Sequence, residues 1–387
     1  MDSRSPMLNS AELTGDEIYF KPALQIENTG DLLINKAEID LVRNYGNVIL
    51  DDNNRPAWFM NQLSPGGQDV LLSSLSSRSL YKTILKRLKN RSNKSVYLLM
   101  PGGNTSRKGK QAAINTLKSF LRLYSLKLAG CKIIRTGFSI GPFDEINGWM
   151  ESLYSRAFYH YSFRDQSSLK LARKYKFKNP KYAPDLAWAY EPELATDVQN
   201  KEYFVISLRS NTYGEIHDSN YLKPIKTKLL EVLRSAIPSD SRIILSYQVK
   251  YDRDACFEVC DLLIHEFPNI EVLDRKLLLK DAEDLYAGAK CVLSNRLHVL
   301  LLAMQTNTLA IPFINDVDNR KVTSIYNDNQ LGGYMLYSDG EAFSERDKLK
   351  FILENEVEIM QKFKSLVRKN KDLIIKNLDQ VFLKNQQ

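Results

Sequence analysis

The 387-residue chain has no apolar run of the roughly 18–20 residues that a membrane-spanning helix requires. The nearest approach, Val299 to Phe313, is broken by Gln305, Asn307 and Pro312. The segment Met1 to Gly15 is polar and has no apolar centre of the signal-peptide kind, so the expected compartment is the cytoplasm. Cysteine is scarce: Cys131, Cys256, Cys260 and Cys291 are too few in so long a chain for a disulfide framework. Cys256 and Cys260 lie one helical turn apart with no histidine at zinc-site spacing, so all four are expected to be free structural thiols and no metal is expected. Histidine is scarcer in function than in number, because of His160, His217, His265 and His298 only the last falls in a pattern suited to proton transfer.

The most informative absence is of acid. Between Val70 and Phe143 there is no Asp or Glu, while Lys and Arg number fifteen; against a net charge of +8, the remainder of the chain is therefore 8 − 15 = −7. Ordinary surfaces mix both signs, so this block points to an anionic polymer, an anionic membrane or a phosphorylated substrate. Residues 361–387 add a second basic stretch.

What is present is ordinary globular composition, 43% hydrophobic and 26% charged, arranged as short apolar runs alternating with amphipathic segments. That alternation predicts a parallel α/β architecture. Expected strands in the first half include 23–26, 47–50, 95–100, 131–138 and 159–163, with helices over 32–44, 80–90, 111–128 and 167–175. In 111–128 the positions Ile114, Leu117, Leu121, Tyr124 and Leu128 follow the helical period and are expected to form its buried face, with Lys118 and Arg122 outside. After an acidic linker at 191–202, strands at 203–208, 242–247, 270–273, 291–294 and 308–312 alternate with helices in the same way, and 344–371 reads as a closing helix. The expected organisation is two Rossmann-like domains facing a cleft, over 1–195 and 196–342, with a C-terminal helical segment over 343–387. Open α/β sheets bind ligands at the carboxyl ends of their strands, so each strand-to-helix turn is a candidate site.

Six such turns carry candidate chemistry. Asn28-Thr29-Gly30-Asp31 offers helix caps and a glycine that lets backbone approach a ligand. Gly102-Gly103-Asn104, followed by Thr105, Ser106, Arg107 and Lys108, has the glycines, hydroxyls and cations of a phosphate cradle, without the Gly-Lys-Ser/Thr of a Walker loop. Arg164-Asp165 closes a strand, with Asp165 expected to cap the next helix. Pro184-Asp185-Leu186-Ala187 ends the first half, and Ser207-Leu208-Arg209 ends the first strand of the second. Finally, Ser294-Asn295-Arg296-Leu297-His298 delivers an arginine and a histidine into an otherwise apolar run. An arginine grips a carboxylate or phosphate with two parallel donors, and a histidine beside it can move a proton.

In that order, these motifs resemble those of the polysaccharide pyruvyl transferases, from about residue 25 to 329. The resemblance implies a fold like that of the GT-B glycosyltransferases. It also implies transfer of the enolpyruvyl unit of phosphoenolpyruvate to a sugar of a lipid-linked (polyprenyl-diphosphate) or nascent surface polysaccharide. The product would be a pyruvate ketal, usually across O4 and O6, with phosphate released. Phosphoenolpyruvate is a co-substrate, and no cofactor is implied. Arg164, Arg209, Arg296 and His298 would hold the donor, His298 as proton donor or phosphate ligand, while Asn28, Gly30, Asp31, Gly103 and Asn104 would face the acceptor. Building such a polymer at the inner face of the bacterial cytoplasmic membrane would give the basic block a partner, an anionic leaflet. One alternative is a GT-B glycosyltransferase using a nucleotide sugar. Another is a nucleic-acid binder, disfavoured because few aromatics interleave with the cations.

Overall fold

The computed structural model describes residues 15–22, 26–64, 67–75, 79–90, 94–100, 102–193, 201–211 and 218–383. Most of the strand expected at 23–26, the centre of the 191–202 linker, and His217, Arg78 and Arg91 lie outside the described residues. The chain divides into two units, one of residues 1–26, 34–189 and 371–387, the other of 27–33 and 190–370. The division falls at Ala189/Tyr190, where the sequence places it at 195/196. Residues 343–387 form no separate body, being divided between the units at Asn370/Lys371.

The first unit is built on strands β1 (Glu17–Phe20), β2 (Asn47–Leu50), β3 (Val70–Leu71), β4 (Val96–Met100), β5 (Gly103–Arg107), β6 (Lys132–Phe143), β7 (His160–Phe163) and β8 (Lys181–Tyr182). They pair in parallel in the order β3-β2-β1-β4-β6-β7-β8, with β5 also on β6. The helices of this half of the chain are α1 (Thr29–Val42), α2 (Ala57–Leu63), α3 (Leu80–Lys89), α4 (Lys110–Leu128), α5 (Glu145–Ser155) and α6 (Gln166–Lys174). Short acidic side chains start two of them: Asp144 accepts from Asn147 N at 2.9 Å for α5, and Asp165 from Ser168 N at 2.7 Å for α6. The core is aromatic, with Phe158 stacked on Tyr161 at 4.5 Å beside Phe138, Phe163 and Phe177. Each such ring, fully buried, contributes about 1.5–3 kcal/mol.

The second unit repeats the plan. Strands β9 (Tyr203–Ser207), β10 (Arg242–Leu245), β11 (Ile270–Val272), β12 (Ala289–Ser294), β13 (Leu309–Ile314) and β14 (Leu336–Tyr337) form a parallel sheet in the order β11-β10-β9-β12-β13-β14. This is the doubly wound order, whose direction of winding reverses between β9 and β12. Its helices are α7 (Ser219–Ala236), α8 (Arg253–Leu263), α9 (Leu279–Ala287), α10 (Leu297–Gln305), α11 (Arg320–Asp328), α12 (Ala342–Glu354) and the first half of α13 (Glu356–Phe382). The expected single closing helix is thus two. The end of α13 belongs to the first unit, where Phe382 packs on Tyr45 and Tyr97 and Asp379 accepts from Tyr45 Oη at 2.7 Å. The α10 run from Val299 to Met304 is wholly buried, which explains its lack of a polar face.

Two expectations are corrected. Gly103 and Asn104 lie in strand β5, paired with Phe138 and Ser139, and form no phosphate-cradling loop. Gly102 is small for a backbone reason, since a Cβ there would lie 2.8 Å from the Gly137 carbonyl oxygen. In α4 most of the face expected inside is outside: Ile114, Leu117, Leu121 and Leu128 are 39–74% exposed, Tyr124 is half-buried against the core, and Ala113, Thr116, Leu123 and Leu126 are buried. Small and aliphatic residues on the second stripe pack closer to the sheet, and the 3.6 period does not choose between two apolar stripes.

Candidate active site

The winding reversal in the second sheet sets Ser207 directly across from Ser294, and the candidate residues Arg209 and Arg296 each follow two positions later. Ser294 Oγ donates to the Ser207 carbonyl at 2.5 Å and accepts from Arg296 N at 3.0 Å, which fixes where Arg296 leaves the strand. Asn295 Oδ1 accepts from Arg209 N at 2.5 Å and ties the two loops together.

The Arg296 side chain, 11% exposed, is ion-paired through Nη2 with the fully buried Asp252. Asp252 in turn accepts from Ser210 N and Ser210 Oγ, both at 2.9 Å. Arg296 also lies over the Tyr251 ring, 5.7 Å from its centre. Burial disfavours the charged guanidinium, but Asp252 and Tyr251 outweigh it and hold the pKa above its usual value. Arg209 is pulled the other way, first by burial and then by the charge of Arg296. A multiply charged anion relieves the repulsion between two neighbouring guanidiniums. Two buried polar atoms here have no partner, Arg296 Nε and Ser207 Oγ. Buried polar groups are nearly always satisfied, so unmet donors at a strand end are a functional sign.

His298 stands in the first turn of α10, and the structure brings to it a residue from the other end of the chain. Residues 27–33 belong to the second unit. There Thr29 Oγ1 donates to the Leu277 carbonyl at 3.0 Å, and Asn28 Oδ1 accepts from Gly30 N at 2.9 Å. Gly30 lies so close to the imidazole that a Cβ would be 2.5 Å from His298 Nδ1. Asn28, Gly30, Asp31, Arg209, Arg296 and His298 therefore belong to one unit, and the first turns of α1 and α10 meet at the histidine. The positive end of a helix favours an anion, although at α1 the amides of Gly30, Asp31 and Leu32 are already taken up by Asn28.

Arg164 is placed differently. Its side chain is 3% exposed in the first unit, where Nη1 pairs with Asp185 at 2.5 Å and Nε donates to Ser139 Oγ at 2.7 Å. Ser139 Oγ donates to Asp165 at 2.7 Å, and Asp185 Oδ1 accepts from Ala187 N at 2.9 Å. Two of the sequence motifs, Arg164-Asp165 and Pro184–Ala187, are thus the two sides of one buried ion pair. Gly103 and Asn104 lie in the first unit as well. His160 is buried, and desolvation together with Lys181 pushes its pKa down to about 4, which keeps it neutral. His265 is exposed just after α8 instead of lying within it.

Sequence reasoning passed over Asp252, Tyr251, Ser210 and the role of Asn295. The available signal was the Tyr251-Asp252-Arg253 sequence at the start of α8, six residues beyond the end of β10 and so less marked than the strand-end arginines. Of the basic block, Arg87 is drawn inward to Glu17 at 2.6 Å and Arg107 to Glu151 at 3.1 Å, so not all fifteen cations are surface charge. Among the described residues no group of three or more His, Cys, Asp or Glu could hold a metal, and no helix is long and apolar enough to cross a membrane.

The sequence matches the family model described as polysaccharide pyruvyl transferase over residues 28–317. No curated protein matches the chain in sequence. Its fold is similar to that of Anabaena Alr3699/HepE in complex with UDP, at 12% identity and TM-score 0.58 over 96% of this chain and 100% of that one. A Thermobaculum terrenum O-GlcNAc transferase mutant is similar at 13% identity and TM-score 0.52, over 95% of this chain and 67% of that one. Methanocaldococcus jannaschii UDP-GlcNAc 2-epimerase is similar at 12% identity and TM-score 0.50, over 90% and 92%. These likenesses are of fold, and they bear out the GT-B-like α/β architecture expected from the sequence.

Proposed function

We propose, from the premise that this chain belongs to the polysaccharide pyruvyl transferase family and is a transferase, that its donor is phosphoenolpyruvate and its product a pyruvate ketal. The observation that carries the donor assignment is the mutually repelling pair Arg209 and Arg296, with an unmet donor on Arg296, beside a histidine at two helix starts. Phosphoenolpyruvate carries about three negative charges in a phosphate and a carboxylate, the anions a paired-guanidinium site holds best.

In the proposed reaction His298 gives a proton to the methylene carbon, leaving an oxocarbenium-like centre at C2. A sugar hydroxyl attacks C2 and loses its proton. The bond from C2 to the phosphate oxygen then breaks, phosphate departs with the electron pair, and a second hydroxyl attacks to close the ketal, its proton going to the departing phosphate. The charge that develops on the leaving phosphate is met by Arg209 and Arg296, already in place before the reaction. His298 recovers its proton from an attacking hydroxyl, directly or through water. The first and second hydroxyls are proposed to be O4 and O6 of one sugar in a lipid-linked or nascent surface polysaccharide, approaching past Asn28, Gly30 and Asp31. Arg164 is read as a positioning strut that holds the Pro184–Ala187 turn. Working on such acceptors would bring the enzyme to the inner face of the cytoplasmic membrane.

Thermal shift separates this reading from its rival. Phosphoenolpyruvate is expected to raise the melting temperature and nucleotide sugars to leave it unchanged, since a ligand of the native state stabilises it by mass action. Phosphate release should then require a sugar diol. Stabilisation by a nucleotide sugar alone would favour the glycosyltransferase.

A further inference from the structure

The outward face of α4 is apolar without a partner. Ile114, Leu117 and Leu121, spaced by three and four residues, and Leu128 further along form one stripe, 46%, 39%, 59% and 74% exposed. Beside it packs α5, which exposes Ile146 and Trp149, each 53%. Monomeric soluble proteins seldom leave so much contiguous apolar surface to water. The rest of this face is cationic: Lys108, Lys110, Lys118 and Arg122 are exposed on and before α4, as are Lys82, Lys86 and Lys89 on the neighbouring α3. The helices α3 and α4 contain no acidic residue. On α5, Glu151 is buried and Glu145 is the exposed carboxylate.

We infer that this face docks on an anionic lipid bilayer, the leucine stripe and Trp149 entering the headgroup boundary and the flanking lysines and arginines meeting lipid phosphates. Charge complementarity selects the occupant. A second copy seated on the same patch would set cation against cation across a two-fold axis. A bilayer supplies anions around an apolar interior, the arrangement that interfacial helices with basic flanks recognise. A half-exposed tryptophan at the margin suits the headgroup level, where its ring and N–H find different surroundings. The mechanism differs from attraction by charge alone. Apolar entry survives salt, whereas surface attraction decays within a Debye length. The inference deepens the proposed use of a lipid-linked acceptor, but the docking is read with no substrate present, so its failure and that of the pyruvyl-transfer reading are separate results.

The test uses the full chain with extruded vesicles of phosphatidylcholine, alone or mixed with phosphatidylglycerol. Sedimentation with the mixed vesicles is expected, weakened but not abolished by high salt, with a blue shift of tryptophan emission that Trp149→Phe removes. Leu117→Gln with Leu121→Gln should lower partitioning about tenfold, an effect the size of withdrawing exposed leucines from an apolar phase. Lys118→Gln with Arg122→Gln should lower it several-fold at low salt and little at high salt. Both pairs of residues are exposed, so folding is preserved and donor binding should be unchanged. Equal vesicle binding by wild type and both double variants would overturn the inference. So would a wild-type dimer that the leucine variant converts to monomer, because a second copy would then own the face.

Discussion

Arg164 and Arg296 make the same first impression and the structure separates them. Both stand at the carboxyl end of a parallel strand, and both pair with a buried aspartate. Around Arg164 the network closes: Asp185 and Ser139 both engage its guanidinium, Ser139 donates on to Asp165, and no nitrogen of Arg164 is left buried without a partner. Around Arg296 the network stays open, with Nε unmet, a second guanidinium near enough to be destabilised, and His298 in the adjacent turn. A strand-end arginine is thus not itself a sign of a site. The features that support the proposed site at Arg296 are its unsatisfied donor and the like charge of Arg209 close by.

The largest expected effect breaks the comparison at its open side. Arg296→Ala removes the proposed donor contact and strands the Asp252 carboxylate; truncating one partner of a buried charged pair costs on the order of 2–5 kcal/mol, so turnover should be nearly lost and the melting temperature lowered. Arg296→Met with Asp252→Leu separates the two consequences. Replacing both members of a buried pair by apolar groups is often neutral, so this variant should recover folding by calorimetry, short of what Ser210 loses with its Asp252 acceptor, and remain inactive.

The closed side should behave in the opposite way. Arg164→Ala is expected to destabilise by about 3–5 kcal/mol, the usual result of leaving a buried charge alone. Arg164→Met with Asp185→Leu should restore both the melting temperature and the activity. An inactive but stable double variant would move Arg164 from strut to donor ligand.

These assignments show what was legible in the sequence. The strand ends of the second half were, because β9 and β12 are short, buried and followed at once by polar residues, and a doubly wound sheet exposes its switch point at that place. The helix cap at Asp165 was legible for the local reason that Asp accepts from the amide three residues on. What was not legible was long-range. Nothing in Asn28–Asp31 says that it docks beside His298, more than 260 residues away in sequence. Nothing near Arg164 names Asp185, or near Arg296 names Asp252. The outward α4 stripe escaped because helical period marks two faces as apolar, and only packing on the sheet decides between them.

Smaller effects sharpen the contrast. Gly30→Ala adds a Cβ 2.5 Å from His298 Nδ1. The same Cβ would lie 2.8 Å from His298 Cβ, so the histidine must shift; displacing the proposed reacting group by up to one ångström lowers rates by about ten- to a hundredfold, so turnover should fall by more than the accompanying loss of stability explains. Steady-state kinetics and a melting curve together check this.

An expected effect of another kind, on the pH dependence of stability, concerns a buried acid without an arginine bonded to it. Glu38, fully buried, accepts from Thr136 Oγ1 while its Oε2 has no partner, and desolvation raises its pKa to about 8. Since the folded pKa is raised, the native state holds a proton the unfolded chain has released. The contribution is fully present below the ordinary carboxyl pKa and is lost as pH rises towards and through about 8. Melting temperature should therefore decline over that interval, and Glu38→Gln, neutral at every pH, should flatten the decline.

The most direct measurement is calorimetric titration of phosphoenolpyruvate into the two folded double variants. Arg164→Met with Asp185→Leu should bind it as tightly as wild type, and Arg296→Met with Asp252→Leu should not bind it detectably. Retained affinity in the second variant, or its loss only in the first, would contradict the placement of the donor at Arg209, Arg296 and His298.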